Sequence, residues 1–548
     1  MTILTLNRKE LEEKVGKITK EVENKITMMG TPIEEINSNE ISVEIFPNRP
    51  DLLSLQGFAR SLNQYLGKKR MATFKVNKPE KNYKVKVDKI VKKVRPHTAC
   101  AIVKGLKFDD KKIKEIIDIQ EKLHLTIGKK RKKIAIGIYP LEKIKLPIKY
   151  TARKPNEIKF VPLESPGGKE LTGMQILRQH PTGREYAHLL KGKEVFPIFV
   201  DADNKILSMP PIINSHETGK ITEKTKDVFI ECSGFNLEYL KKCLNIIVSA
   251  LADMGGKIYA MEVSDDKKFI SPNLEPEKLE FKIEDINKTL GLELSEKEIK
   301  KYLERMGIGF EKTKNKTYAL IPAYRIDILH WIDLAEEVAI AYGYENFEPE
   351  IPEISTIAEE DRAARIKRTI SEILTGIGLL EVSSFHLAKK KDVKKMHFNF
   401  KEFIEVRESK TEYNVLRVDL LSNLLKIFSE NSDSQYPQKI FEIGVVFEKD
   451  ETKETKILEK EKLAIAISDE QVHFTELKQI LDYLFKMLDK EYEIQETENS
   501  NFIPGRVGKI LVEGKEIGII GEVAPRVLKN WKIKMPVVGL ELNIDWLL

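Results

Sequence analysis

Residues 321–345, IPAYRIDILHWIDLAEEVAIAYGYE, limit what this chain can fold into more tightly than any other stretch. Pro322 starts an extended run ending at Asp327, because proline fixes its own φ and pushes its predecessor out of the helical region. A helix to about Tyr342 is expected to follow. On it Asp333, Glu336 and Glu337 fall three and four residues apart and share a face, with Asp327 one short turn upstream. Two readings are open. One is an amphipathic helix with a solvated acidic face, begun by Asp333 where the helix dipole favours an anion. The other is a hard-cation site, since magnesium takes oxygen ligands, usually one or two carboxylates completed by water.

At 548 residues the chain has room for roughly three to five domains, and 41% hydrophobic content supplies their cores. A net charge of +6, the balance of 92 basic and 86 acidic residues, is too small to indicate nucleic-acid binding by itself. Cys100, Cys232 and Cys243 are scattered without a CxxC pair, which argues against a zinc knuckle or a disulfide framework. The start has no apolar signal region and no apolar run approaches 18 residues, so a cytoplasmic protein with no membrane segment is expected. Walker, GxGxxG and HExxH patterns are missing.

Residues 1–75 read as a small α/β unit. Asn7 should cap one helix and Asp51, after the Pro47-Asn48-Arg49-Pro50 turn, a second that Gly67 closes. That turn reads either as a functional motif or as a rigid corner with Arg49 paired to a nearby acid. Residues 128–133, GKKRKK, read as a basic hairpin tip or as an RNA phosphate contact. Residues 198–209 form a hairpin turned at Asp203-Asn204. After it, Asn214, Ser215 and Thr222 lead to a strand carrying Glu231 and Ser233. Small polar residues gathered at a strand end either line a ligand pocket or form a hydrogen-bonded turn network. A helix is expected over 237–254. Residues 275–348 show helix, helix and a two-strand wing, a winged-helix outline in which Ser295 caps the second helix. After a proline-containing linker at 350–357 the rest reads as an antiparallel α+β domain, with a strand over 379–388, a helix over 416–429 and a strand over 439–448.

Four motifs together resemble the β subunit of phenylalanyl-tRNA synthetase in its shorter archaeal or eukaryotic-type form. They are EIFPNRPDLLS at 44–54, PPIINS…GKIT…VFIEC between 210 and 232, PAYRID…D…EE…YGY between 322 and 344, and PQKIFEIGVVF at 437–447. The resemblance implies an α+β multidomain chain. Its parts would be an N-terminal module at 1–75, an editing domain at 85–270, a winged-helix-like module at 271–348 carrying the acidic motif, and an inactive class II synthetase-like antiparallel core at 350–548. The OB-fold insert and C-terminal anticodon domain of the longer bacterial form do not fit in this chain.

The same resemblance implies an α subunit that uses ATP and attaches phenylalanine to tRNA(Phe), paired with this chain in an (αβ)2 heterotetramer. It assigns magnesium, shared with α, to Asp327, Asp333, Glu336 and Glu337. It assigns reading of a tyrosyl hydroxyl to Glu231, in an editing pocket lined by Asn214, Ser215, Thr222 and Ser233. The histidine of bacterial members has no counterpart in VFPIFVDAD at 195–203. No arginine neighbours the FEIG strand, only Lys439, so ATP binding there is not expected. The alternatives are a purely structural, tRNA-binding scaffold subunit with decayed editing, and a free-standing metal-dependent hydrolase.

Overall fold

The computed structural model describes residues 2–165, 168–351, 356–397 and 401–547, so part of the linker expected at 350–357 lies outside the described residues. The chain divides into two compact units, Met1–Glu350 and Ile351–Leu548. Among the described residues no helix is long and apolar enough to cross a membrane.

The first unit opens with the strand Thr2–Asn7, paired to Glu40–Ile45, and the helix Arg8–Val15, whose cap is Asn7 as its side chain dictates. Asp51 does not cap the next helix. Its carboxylate is taken by Arg49 through two bonds of 2.9 Å, and Ser54 caps Leu55–Tyr65 instead, accepting the Gly57 N–H at 3.0 Å. The proline-flanked turn is therefore a buried ionic corner. Every residue of Leu55–Tyr65 is buried, because this helix packs against the helix Leu237–Asp253.

That second helix and Asp110–Leu125 cover one face of an 11-stranded sheet. Its main path runs Ile213–Asn214, Ile206–Met209, Phe196–Val200, Ile148–Arg153, Lys84–Val87, Lys257–Ser264, His97–Lys104, Val228–Gly234, Ile134–Pro140. The path curls back on itself: Tyr139 on the last strand bonds Ser208 on the second at 2.7 Å. The enclosed face holds its own core, including Tyr150 stacked on Phe199 and Tyr139 on Phe229. The basic run 128–133 is not a hairpin tip; it joins the helix Asp110–Leu125 to the strand Ile134–Pro140.

Residues 277–342 supply the helices Ile283–Leu290, Glu296–Arg305 and Trp331–Tyr342. Ser295 and Glu298 form the expected capping box. The two strands expected there are joined by a third, Glu277–Phe281, in the order Glu277–Phe281, Thr317–Ile321, Gly309–Lys312. One apolar core runs from Leu4 to Ala341, so the modules expected from sequence share their packing.

In the second unit a seven-stranded sheet has two-sided cover. The helices Arg362–Gly376 and Phe474–Met487 pack with one core, Leu421–Glu430 and Pro525–Trp531 with the other. Its strands pair antiparallel except Leu380–Glu381, which runs parallel to Gln438–Lys449. Two expectations shift here. The strand expected over 379–388 splits into Leu380–Glu381 and Leu387–Lys389, because Ser384 turns aside to Glu442, its N–H at 3.1 Å and its hydroxyl at 2.7 Å. The helix expected over 416–429 begins at Leu421, since Leu416 ends the strand Tyr413–Leu416.

Candidate functional site

Glu231 sits at the middle of Val228–Gly234, opposite Cys100 on one side and Gly137 on the other. Directly opposed residues of antiparallel strands share a face, so Glu231, Ser233, Cys100, Gly137 and Tyr139 all point into the curl of the sheet. Glu231 is 1% exposed. Its Oε1 lies 3.2 Å from the Tyr139 hydroxyl, while its Oε2 is buried without a hydrogen-bond partner among the described residues. Burial raises its pKa to about 8, against the opposing pull of the Arg95 guanidinium and of the nearby Tyr139 and Ser233 hydroxyls.

The Tyr139 phenol has one proton, yet it is also near Ser208 Oγ at 2.7 Å and Asn214 Oδ1 at 3.4 Å. All three neighbouring oxygens can accept, so the phenol serves one of them at a time. A Cβ on Gly137 would lie 2.6 Å from Glu231 Oε1 and closer still to the Tyr139 hydroxyl, so only glycine leaves room for both. Gly219 also serves by lacking a Cβ, which would fall 2.8 Å from Asn214 Cβ. Arg95, buried beside Ser233, donates to Ser233 O at 2.7 Å and Ser233 Oγ at 3.3 Å.

The residues expected here divide. Glu231, Ser233 and Asn214 converge. Ser215 is buried beside them, its N–H on Leu207 O at 2.7 Å and its carbonyl on the Gly219 N–H at 2.8 Å, so its backbone fixes the approach of Asn214. Thr222 is held in its own turn, its N–H on Thr225 Oγ1 at 3.2 Å; among the described residues no hydrogen bond joins it to Glu231, Tyr139 or Asn214. Sequence reasoning missed Tyr139, Arg95 and Gly137. The alternation Ala135, Gly137, Tyr139 in IAIGIYP was the one available sign, since it puts two small residues and a phenol on one face.

The acidic stretch assembles differently from expectation. Arg325 is buried between two of its carboxylates, donating to Asp327 at 2.8 and 2.6 Å and meeting Glu337 at 2.8 and 3.2 Å. Arg49 and Asp51 lie close enough to add to the same field. Two signature motifs thus meet in one buried ionic cluster. Burial works to raise the Asp327 pKa, and Arg325 outweighs it, holding that carboxyl below the usual range. Asp333 completes a capping box with His330, the N-cap, accepting the Leu329 and His330 N–H groups at 2.7 and 2.8 Å. Glu336 stays exposed; burial of part of the group, then Glu337, Asp333 and Asp327, raise its pKa. Among the described residues no three His, Cys, Asp or Glu side chains converge as a metal cage. The expected four-carboxylate set is not preassembled, because Arg325 already satisfies two members.

An arginine does reach the FEIG strand, contrary to the reading from sequence neighbours. Arg417 is buried against it, donating to Val445 O at 2.7 Å and Glu442 Oε1 at 2.6 Å. It is consumed internally.

The raised Glu231 pKa has a consequence for stability. The folded state keeps a proton that the unfolded chain has released above about pH 4.5, so stability should fall as pH rises from there through about 8. Glu231→Gln should remove that component; denaturant titrations of both proteins across this range check it.

Three family profiles match in chain order. They are the B3/4 domain at 82–245, the tRNA synthetase B5 domain at 279–344, and the phenylalanyl tRNA synthetase beta chain CLM domain at 348–544. The phenylalanine–tRNA ligase beta subunit of Pyrococcus abyssi is 43% identical over 499 residues, 90% of this chain and 89% of that protein. That of Archaeoglobus fulgidus is 36% identical over 552 residues, 100% of this chain and 98% of that protein. Among solved structures, an N-terminal fragment of the phenylalanyl-tRNA synthetase beta-subunit from Pyrococcus horikoshii is similar at a TM-score of 0.59 and 38% identity, covering 62% of this chain and 99% of that one. Fold, motifs and relatives agree: the chain belongs to the phenylalanine–tRNA ligase beta subunit family.

Proposed function

We propose that the pocket around Glu231 hydrolyses tyrosyl-tRNA(Phe), correcting errors made by an α partner that uses ATP to charge tRNA(Phe) with phenylalanine. The observation that carries this reading is the unpartnered, fully buried Glu231 Oε2 beside Tyr139. A buried carboxyl oxygen without a partner is costly, and a tyrosyl hydroxyl, able to donate or to accept, would satisfy it where phenylalanine could not.

The division of labour has a physical basis. An apolar pocket sized for phenylalanine rejects an added hydroxyl by only about 100-fold, whereas a site that bonds the hydroxyl rejects its absence by roughly 10⁴–10⁵. Choosing tyrosine is therefore the easier task. In the hydrolysis a water attacks the ester carbonyl. Tyrosine leaves as the free acid and the ribose oxygen takes the proton. Burial raises the Cys100 and Cys232 thiol pKa values, so both remain protonated and poor nucleophiles. That favours a positioned water over a covalent route.

The C-terminal unit acts as a non-activating partner surface for α in an (αβ)2 assembly; Arg417, locked on Glu442, is unavailable to a nucleotide. Magnesium at the acidic stretch would fall to Asp333 and Glu336, with Asp327 and Glu337 held back by Arg325.

The test is the full chain assembled with its α partner and offered both aminoacyl-tRNAs. Tyrosyl-tRNA(Phe) should be deacylated at least about 100-fold faster than phenylalanyl-tRNA(Phe). Deacylation of both at the buffer rate would instead support a scaffold with decayed editing.

A further inference from the structure

Residues 128–133 form a turn that the fold alone does not explain. Lys129, Lys130 and Arg131 have φ of 46°, 53° and 62° in succession. L-residues enter the left-handed region singly, because Cβ crowds the following carbonyl oxygen, and glycine would hold this shape more easily. Such strain persists only where the surroundings impose it and often marks function. Arg131 imposes it: it donates to Ile212 O and to Glu121 Oε1, each at 2.8 Å, and its guanidinium lies 4.4 Å over the Tyr186 ring.

The result is that Lys129, Lys130 and Lys133 stand exposed on a fixed frame. Among the described residues no carboxylate pairs with Lys129, Lys130 or Lys133. Other lysines of the same unit do pair, Lys145 with Asp203 and Lys149 with Asp88 for example. The turn also adjoins the pocket. Arg95 Nη2 donates to Ser233 O at 2.7 Å and to Arg131 O at 3.4 Å, so one guanidinium touches both. Ser233 lies two residues, about 7 Å, along the strand from Glu231. The strand end reaches the turn because Gly234 has no side chain to meet Lys133 O.

We propose that Lys129, Lys130 and Lys133 bind the phosphates of the single-stranded 3′ end of an aminoacyl-tRNA and hold its ester over the Glu231 pocket; this rests on the editing reading above. Clustered ammonium groups suit phosphates as point charges, and such contacts position a nucleic acid without reading its sequence. The ester sits on the terminal ribose, so the phosphates within reach of a turn beside the pocket are those of the last nucleotides.

The test measures tyrosyl-tRNA(Phe) deacylation by the full chain assembled with its α partner, over a range of salt concentrations. A Lys129→Ala/Lys130→Ala/Lys133→Ala variant should raise KM about 10-fold with kcat within about twofold. It should also flatten the slope of log KM against log salt by about 2, at ~0.7 per single-stranded phosphate contact. The triple lysine-to-arginine variant should keep the slope. Lys129→Gly/Lys130→Gly should hold or raise the thermal midpoint while KM rises, which separates binding from folding. Unchanged KM and slope in the alanine variant, with the wild type hydrolysing tyrosyl-tRNA normally, would overturn this proposal alone. A wild type without hydrolysis would overturn the editing reading, and this proposal with it.

Discussion

Replacing Arg325 with methionine should destabilise the first unit by about 3–5 kcal/mol, the range for breaking a buried ion pair by removing one partner. The side chains of Asp327 and Glu337 are only 7% and 6% exposed, and Arg325 is the guanidinium that bonds both. Without it the pair of carboxylates must stay charged in a poor solvent for charge or take up protons. The pH dependence gives a second signature. The Asp327 pKa is depressed, so its contribution is present above the unfolded value near 4 and is lost as pH falls through the lower folded one. In the methionine variant that pattern should reverse, with the loss smaller near pH 4 than near pH 7. Denaturant midpoints of the first unit measure both effects, taken as a separate transition from the second unit. A loss below about 1 kcal/mol would mean that water already screens the pair.

Gly137→Ala is the second large effect, and it falls on activity. The new methyl would enter the space between the Tyr139 hydroxyl and Glu231 Oε1. Both obstructing atoms are ends of side chains, so they can move and the sheet can survive, at the ~1–3 kcal/mol typical of overpacking. The Glu231 carboxyl group cannot keep its place. Editing of tyrosyl-tRNA(Phe) by the assembled enzyme should fall about 100-fold, the equivalent of losing one buried hydrogen bond to a charged or strongly polar group. Phenylalanine charging should be unaffected, because the proposed division of labour leaves that chemistry to the α partner. Retained editing would place the reacting ester elsewhere.

Much of this architecture was legible because its signals are local. Asn7 and Ser295 cap the helices they precede, and the turn at Asp203-Asn204 joins its strands, with Asn204 at φ 64°. The helix Leu237–Asp253 ends before Gly255 as its sequence implies. What sequence could not give was pairing across distance. Glu231 stood out, but Tyr139 is 92 residues away and reaches it only because the sheet curls. Arg325 was plain to see two residues before Asp327, yet nothing in the spacing said that one guanidinium would also claim Glu337 and leave the acidic set divided. Arg417 escaped notice beside FEIG for the same reason, arriving from 25 residues before Glu442. Asp51 misled because an acid before a helix usually caps it; Arg49, two residues back, offered a stronger partner.

The most direct measurement is tyrosyl-tRNA(Phe) deacylation by the assembled enzyme carrying Glu231→Ala. A loss of about 100-fold or more is expected, with phenylalanine charging at the wild-type rate. Hydrolysis at the wild-type rate would contradict it, and would remove Glu231 from the reading of the tyrosyl hydroxyl.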